Sequence, residues 1–342
     1  MTLSIVQKLL LLGTRAAIFV FWLIDTATNL TYIKISRKIL KTATLVISVF
    51  FISFLLYSYS SRILAKIADG YFSDLFVIAP SQYHPREYPV LVSSGNAPYV
   101  TSKSYLIADI KNSKILYEHN INQKHPPAST AKLMTALVAL DIYQTNEVLE
   151  VPEACSTING TKAYLPVKSH FSVKDLIYSM LIGSAGDSAC VLSLGKLPYE
   201  NFVSLMNRKA SLTGLLNTHF SNPIGLDDDG GQNFSTVQDL FTLAKSVMQN
   251  PIISDAVRKR VYELKSQDGL FDVNINSTNK FLSEIPNTLG IKTGTTESAG
   301  EVFIYDYADK EKDLIIIVMG SSDRFSDTRT LLTWALNSYS WK

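Results

Sequence analysis

"PPASTAKLMTALVAL", residues 126–140, decides how the chain is read. Pro126 and Pro127 hold the backbone extended, and a helix can begin near Ser129. In that helix Ser129 and Lys132 stand three apart and share one face. The rest is Ala, Leu, Met and Val nearly all round, so the helix belongs in a core. A lysine buried beside a serine is costly unless it has a use. Desolvation lowers its pKa and lets the amine take the hydroxyl proton. The helix N-terminus adds backbone N–H groups that favour a developing oxyanion. The same residues also describe a serine cap with a lysine that reaches for solvent, so the spacing alone leaves both readings open.

Working outward, "SYLIADI" (104–110) and "KILYEH" (114–119) flank the turn-like "KNS" and predict a hairpin. A helical region follows from about 129 to 248, with loops at 151–171 and 221–235. Strand patterns return in "NTLGIKTG" (287–294), "EVFIYDYA" (301–308) and "DLIIIVMG" (313–320). An amphipathic helix carrying "TRTLLTWALNSY" (328–339) closes the chain. This order predicts an α/β fold, an α+β sandwich. Its five-stranded antiparallel sheet, flanked by helices, joins the first hairpin to the last three strands. Within "GIKTGTT" (290–296), Lys292 and Thr293 offer a cation and a hydroxyl to a carboxylate. Gly294 lets a ligand backbone approach the strand. Alone, this motif is equally a surface strand with a turn.

The front of the chain is different in kind. Overall 46% of residues are hydrophobic and 18% charged. No charge occurs from Thr42 through Ser61, a run long enough to span a bilayer as a helix. Lys34, Arg37, Lys38 and Lys41 precede it, so the positive-inside rule keeps that side cytoplasmic and places everything after Ser61 outside. The expected layout is a cytoplasmic or interfacial segment at 1–41, an anchor at 42–61, a Pro-containing linker at 62–97 and a folded domain at 98–342. Residues 3–24 read either as an interfacial helix or as a second span, because Lys8 and Arg15 interrupt them. The expected localisation is the cell membrane, with the folded domain extracytoplasmic.

Charge divides at the same place. Residues 1–66 carry eight basic side chains against Asp25 alone, whereas 67–342 carry 24 basic and 29 acidic ones. The outer part has no basic surplus, which argues against nucleic acid as a partner. His84, His119, His125, His170 and His219 lack ligand spacing, and no metal or other cofactor is expected. The acidic "LDDDGGQNFST" (226–236) lacks the twelfth-position glutamate of an EF-hand loop. Cys155 and Cys190 are expected as two separate buried thiols, though an extracytoplasmic site permits one bridge.

S-x-x-K at 129–132 and K-T-G at 292–294, about 160 residues apart and in this order, form a serine active-site signature. With "VKDLIYSMLIGSAGDSA" (173–189), "FSNPIGLDDDGGQNFSTVQDL" (220–240) and "LLTW" (331–334), the chain from about 98 to 342 resembles the serine D-Ala-D-Ala carboxypeptidases, the low-molecular-mass penicillin-binding proteins. The resemblance implies a β-lactamase/DD-peptidase-like transpeptidase fold. It implies that Ser129 is the nucleophile, that Lys132 is its general base, and that the Ser129 and Thr295 N–H groups form an oxyanion hole. Lys292, Thr293 and Gly294 would bind the terminal carboxylate and backbone of a peptidoglycan stem peptide ending in D-Ala-D-Ala. Arg324, seven residues before "LLTW", would assist. β-Lactams would act as covalent inhibitors.

One part is missing. The family's second motif is usually Ser-Gly-Asn or Ser-Ala-Asn followed by Asp-Ala. Here Ser184 matches the serine and Asp187 the aspartate, but Gly186 stands where the asparagine should be. Glycine supplies neither amide group, a loss of roughly 1–3 kcal/mol if water fills the gap. Ser184 is expected to remain in the site as a proton relay, Gly186 to line it, and Asp187 to be structural. The alternatives are a D,D-endopeptidase with the same machinery and a non-catalytic peptidoglycan-binding protein. No E-x-x-L-N deacylation loop argues for a β-lactamase.

Overall fold

The computed structural model describes residues 53–54, 57–58, 60, 89–93, 97–227 and 233–341. The expected anchor at 42–61 lies outside these, apart from five helical residues, as do segments 3–24 and 34–41. No helix among the described residues is long and apolar enough to cross a membrane. The chain divides into two units, 1–84 and 85–342.

In chain order the second unit runs β1 (Val90–Leu91), β2 (Ser104–Asp109), β3 (Lys114–His119), a 3-10 turn (Ala128–Ala131), α1 (Lys132–Ile142), β4 (Val148–Glu150), a second 3-10 turn (Glu153–Cys155), β5 (His170–Ser172), α2 (Val173–Ile182), α3 (Gly186–Leu194) and α4 (Tyr199–Leu212). Then come α5 (Val237–Met248), α6 (Pro251–Val257), β6 (Val261–Lys265), β7 (Asp272–Asn276), α7 (Phe281–Glu284), β8 (Thr288–Thr296), β9 (Gly300–Ala308), β10 (Asp313–Ser321), α8 (Arg324–Ser338) and β11 (Tyr339–Ser340).

The main sheet has the order β3-β2-β10-β9-β8, antiparallel throughout. The first hairpin meets the last three strands through β2 and β10, with Ile107 opposite Ile316. Strand alternation sends each side to a different core. Leu106, Ala108, Val302, Ile304, Ile315 and Ile317 face the helical layer built on α1. Tyr105, Ile107, Phe303, Tyr305, Ile316 and Val318 face α8, where Leu331, Leu332 and Ala335 cover them. Residues Lys132 through Ala139 of α1 are all buried, which makes α1 the central helix. Strand β8, which carries Lys292, is an edge of this sheet.

Several elements depart from expectation. The helix starts at Lys132, because a 3-10 turn occupies Ala128–Ala131, entered with Ala128 at φ +48°. The loop at 151–171 is bracketed by the β4–β5 hairpin, and a second hairpin, β6–β7, follows α6. Residues Val90 and Leu91, within the segment read as linker, pair with β11.

The two cysteines correct the sequence reading. They are bonded to each other, with Cα atoms 5.5 Å apart, and are not separate thiols. The 3-10 turn at Glu153–Cys155 packs on α3, so 35 residues of separation collapse into contact. That proximity is tertiary and has no signature in spacing.

Candidate active site

The 3-10 turn sets the first pair. Side chains at i and i+3 eclipse in that geometry, so Ser129 and Lys132 align. Lys132 Nζ donates to Ser129 Oγ at 2.9 Å and to the Ile224 carbonyl at 2.7 Å. The lysine is 1% exposed. Burial pulls its pKa down to about 7, partly opposed by the charge of Asp187. At neutral pH a large fraction is therefore a neutral amine touching a hydroxyl.

The second pair crosses the cleft. Ser184 sits in the α2–α3 junction at φ +60° and is buried. Lys292 Nζ donates to Ser184 Oγ at 2.9 Å and to the Thr293 carbonyl at 3.0 Å. Burial first, then the charges of Lys132 and Arg324, hold Lys292 well below the ordinary lysine range. Two buried lysines within each other's field oppose being charged together.

Gly294 brings strand and turn into contact. A Cβ there would lie 2.9 Å from both Ser129 N and Ala128 Cβ, so only glycine allows this approach. Arg324, the first residue of α8, donates from Nη1 to the Gly294 carbonyl at 2.7 Å and to Thr295 Oγ1. Its backbone N–H donates to Glu301. Thus Ser129, Lys132, Ser184, Lys292, Thr293, Gly294, Thr295 and Arg324, drawn from four stretches of sequence, meet at one end of β8.

A family model described as D-alanyl-D-alanine carboxypeptidase, peptidase S11, matches residues 92–323. The chain belongs to the peptidase S11 family. Its relatives include D-alanyl-D-alanine carboxypeptidase DacB2 of Mycobacterium tuberculosis, 30% identical over 249 residues that span 69% of this chain and 83% of that one. A D-alanyl-D-alanine endopeptidase of Escherichia coli is 29% identical over 71% of this chain and 79% of its own. Among solved structures, penicillin-binding protein D2 of Listeria monocytogenes in its ampicillin-bound form superposes with a TM-score of 0.62 at 30% identity, covering 70% of this chain and 99% of that one.

In this S11 chain Asp187 is structural. Its carboxylate accepts from the Ala163, Leu165 and Ser188 N–H groups and so folds the 156–165 loop over the start of α3. Gly186, two residues after Ser184, is buried, and the gap expected beside it is not open. The side chains of Ile158 and Ile224 occupy the space where a Cβ would go. Sequence reasoning also missed Thr278, whose Oγ1 lies 2.6 Å from Thr293 Oγ1. It missed Asp227, which accepts from the Thr296 and Ser298 hydroxyls and the Ser298 N–H beyond β8. The Ile224 carbonyl escaped notice as well, because a backbone group leaves no residue-type signal.

Proposed function

We propose that the chain is a serine D-Ala-D-Ala carboxypeptidase that removes the terminal D-alanine of peptidoglycan stem peptides. The observation that carries this reading is Lys132, buried and 2.9 Å from Ser129 Oγ. The neutral amine takes the hydroxyl proton as Oγ adds to the carbonyl of the penultimate D-alanine. The proton passes to the departing D-alanine nitrogen, leaving an ester on Ser129. Water, deprotonated by the same amine, releases the shortened peptide. The substrate runs along the outer edge of β8 as an added strand. Lys292 and the Thr293 hydroxyl take its terminal carboxylate, with Arg324 and Thr295 at the rim. Arrival of that anion favours the charged form of Lys292, which burial otherwise disfavours. Ser184, bonded to Lys292, is the hydroxyl this reading uses as a proton relay toward Lys132.

The endopeptidase relative supports a second substrate, a D-Ala cross-link cut by the same steps. β-Lactams would acylate Ser129 and leave slowly. The apolar run at 42–61 with basic residues before it supports an N-terminal membrane anchor, and the Cys155–Cys190 bond supports an oxidising, extracytoplasmic compartment. The test is D-alanine release from a pentapeptide ending in D-Ala-D-Ala, with Ser129→Ala beside the wild type. Release confined to the wild type is expected. A folded wild type that releases nothing overturns the carboxypeptidase reading.

A further inference from the structure

The wall around Gly186 holds more than an absent side chain. Gly186 opens α3, and its N–H donates to the Thr161 carbonyl at 2.7 Å. A Cβ on Gly186 would lie 2.9 Å from Ile158 Cδ1, 3.2 Å from Ile224 Cγ2 and 3.3 Å from the Thr161 oxygen. One of these neighbours, the Thr161 carbonyl, is backbone and cannot give way. Thr161 is held by the Gly186 N–H itself and by the Asp187 bonds to Ala163 and Leu165.

The main chain at Ile224 is pinned, and its side-chain Cγ2 is what faces Gly186. Asn222 Oδ1 accepts from the Ile224, Gly225 and Leu226 N–H groups. Thr135 Oγ1 of α1 donates to the neighbouring Pro223 carbonyl at 2.6 Å. Gly225, at φ +79°, lies so close to the serine turn that a Cβ would fall 2.0 Å from the Ala128 oxygen. This loop presents the Ile224 carbonyl to Lys132 Nζ at 2.7 Å. Ile158 can yield through the far end of its side chain, whereas Ile224 Cγ2, on a branched Cβ, moves only by a stiff χ1 rotation or with the loop that carries the carbonyl.

We propose that Gly186 and Ile158 are matched positioning residues: glycine at 186 lets Ile158 and Ile224 close the wall, and this closure seats the Ile224 carbonyl as an acceptor for Lys132. The proposal rests on Lys132 acting as the base of Ser129. It has a direct consequence for the missing amide. Asparagine placed at 186 does not repair the site. It presses on Ile158 and Ile224 and shifts the carbonyl that steadies the lysine. Room for a side chain at 186 appears only when Ile158 is also cut back.

The experiment is a double-mutant cycle in the full chain: wild type, Gly186→Ala, Ile158→Ala and the double variant, with Gly186→Asn and Gly186→Asn/Ile158→Ala as a second pair. Each is acylated with a fluorescent penicillin from pH 5 to 9. Melting temperature and the ¹³C NMR titration of the Lys132 ε-carbon are recorded alongside. The expected result is that Gly186→Ala and Gly186→Asn each slow acylation about tenfold, the effect of one disturbed hydrogen bond. They also move the Lys132 titration to lower pH, since the carbonyl favours the ammonium form. Cutting Ile158 in the same chain returns both quantities toward wild type. Strictly additive effects, or a Gly186→Asn chain that acylates faster than wild type, overturn the proposal. A wild type that fails to acylate overturns the catalytic reading instead, and the NMR titrations across the cycle still decide whether 186 and 158 act on Lys132 together.

Discussion

At the scale of single residues, the site is controlled by how far its two lysines are from water. Lys132 is drawn down to about 7 by burial. Acylation should therefore fall on the acid side, about tenfold per pH unit below that value, and level off above it. The slope of acylation rate against pH between 5 and 8 measures this directly. Lys292 acts in the opposite sense. It is also depressed by burial, and it holds a carboxylate only when charged, so KM should rise with pH as it loses its proton. Thr278 belongs to the same grip. Its hydroxyl shares a hydrogen bond with Thr293 Oγ1. Thr278→Val should raise KM for a D-Ala-D-Ala peptide about threefold to tenfold with a smaller change in kcat, whereas Thr278→Ser should keep both near wild type. Steady-state kinetics of the two variants separates lost positioning from general damage. Thr278 is not legible in sequence, since one threonine in "INSTNK" has nothing to mark it.

Among the elements, the loop between β4 and β5 has the most to lose. It carries Cys155, Ile158 and Thr161, and the Cys155–Cys190 bond ties it to α3. A bridge closing 35 residues contributes roughly 3–4 kcal/mol by restricting the unfolded chain. Cys155→Ser/Cys190→Ser should therefore unfold at lower urea and acylate more slowly, as the wall at Gly186 loosens. Urea titration and acylation rates, with and without reductant, test both; an unchanged midpoint would mean that packing alone holds the loop. This element shows where sequence reading stops. The strands of the main sheet are legible because short apolar, β-branched runs bounded by turn residues are local signals. α1 is legible as a buried helix carrying Ser129 and Lys132, but it starts three residues later than its pattern suggests, because the turn at Ala128–Ala131 depends on contact with Gly294. The β6–β7 hairpin is short and buries one residue per strand, Leu264 and Ile275, so its pattern does not stand out in the sequence.

Across the whole molecule, the fold brings a helix N-terminus and an edge strand together, and the sheet bears one strain unrelated to that task. Asp306 of β9 lies in the helical-layer face of the sheet, opposite Gly290 and Ile315, and is 4% exposed. Its Oδ1 has no hydrogen-bond partner among the described residues. Burial and the nearby Asp313 raise its pKa to about 7, and Arg258 at the end of α6 offsets this only in part. The carboxyl thus keeps its proton in the folded chain but loses it near pH 4 in the unfolded chain. Between those values the folded state binds more protons, so stability falls as pH rises from about 4 to about 7 and is flat beyond. Asp306→Asn removes that dependence. It should melt on the order of 5 °C higher than wild type at pH 8 and close to wild type at pH 4.5. Calorimetry at the two pH values checks this. A gain of equal size at both would mean that the amide packs better, and that charge at Asp306 is not what the native sheet opposes.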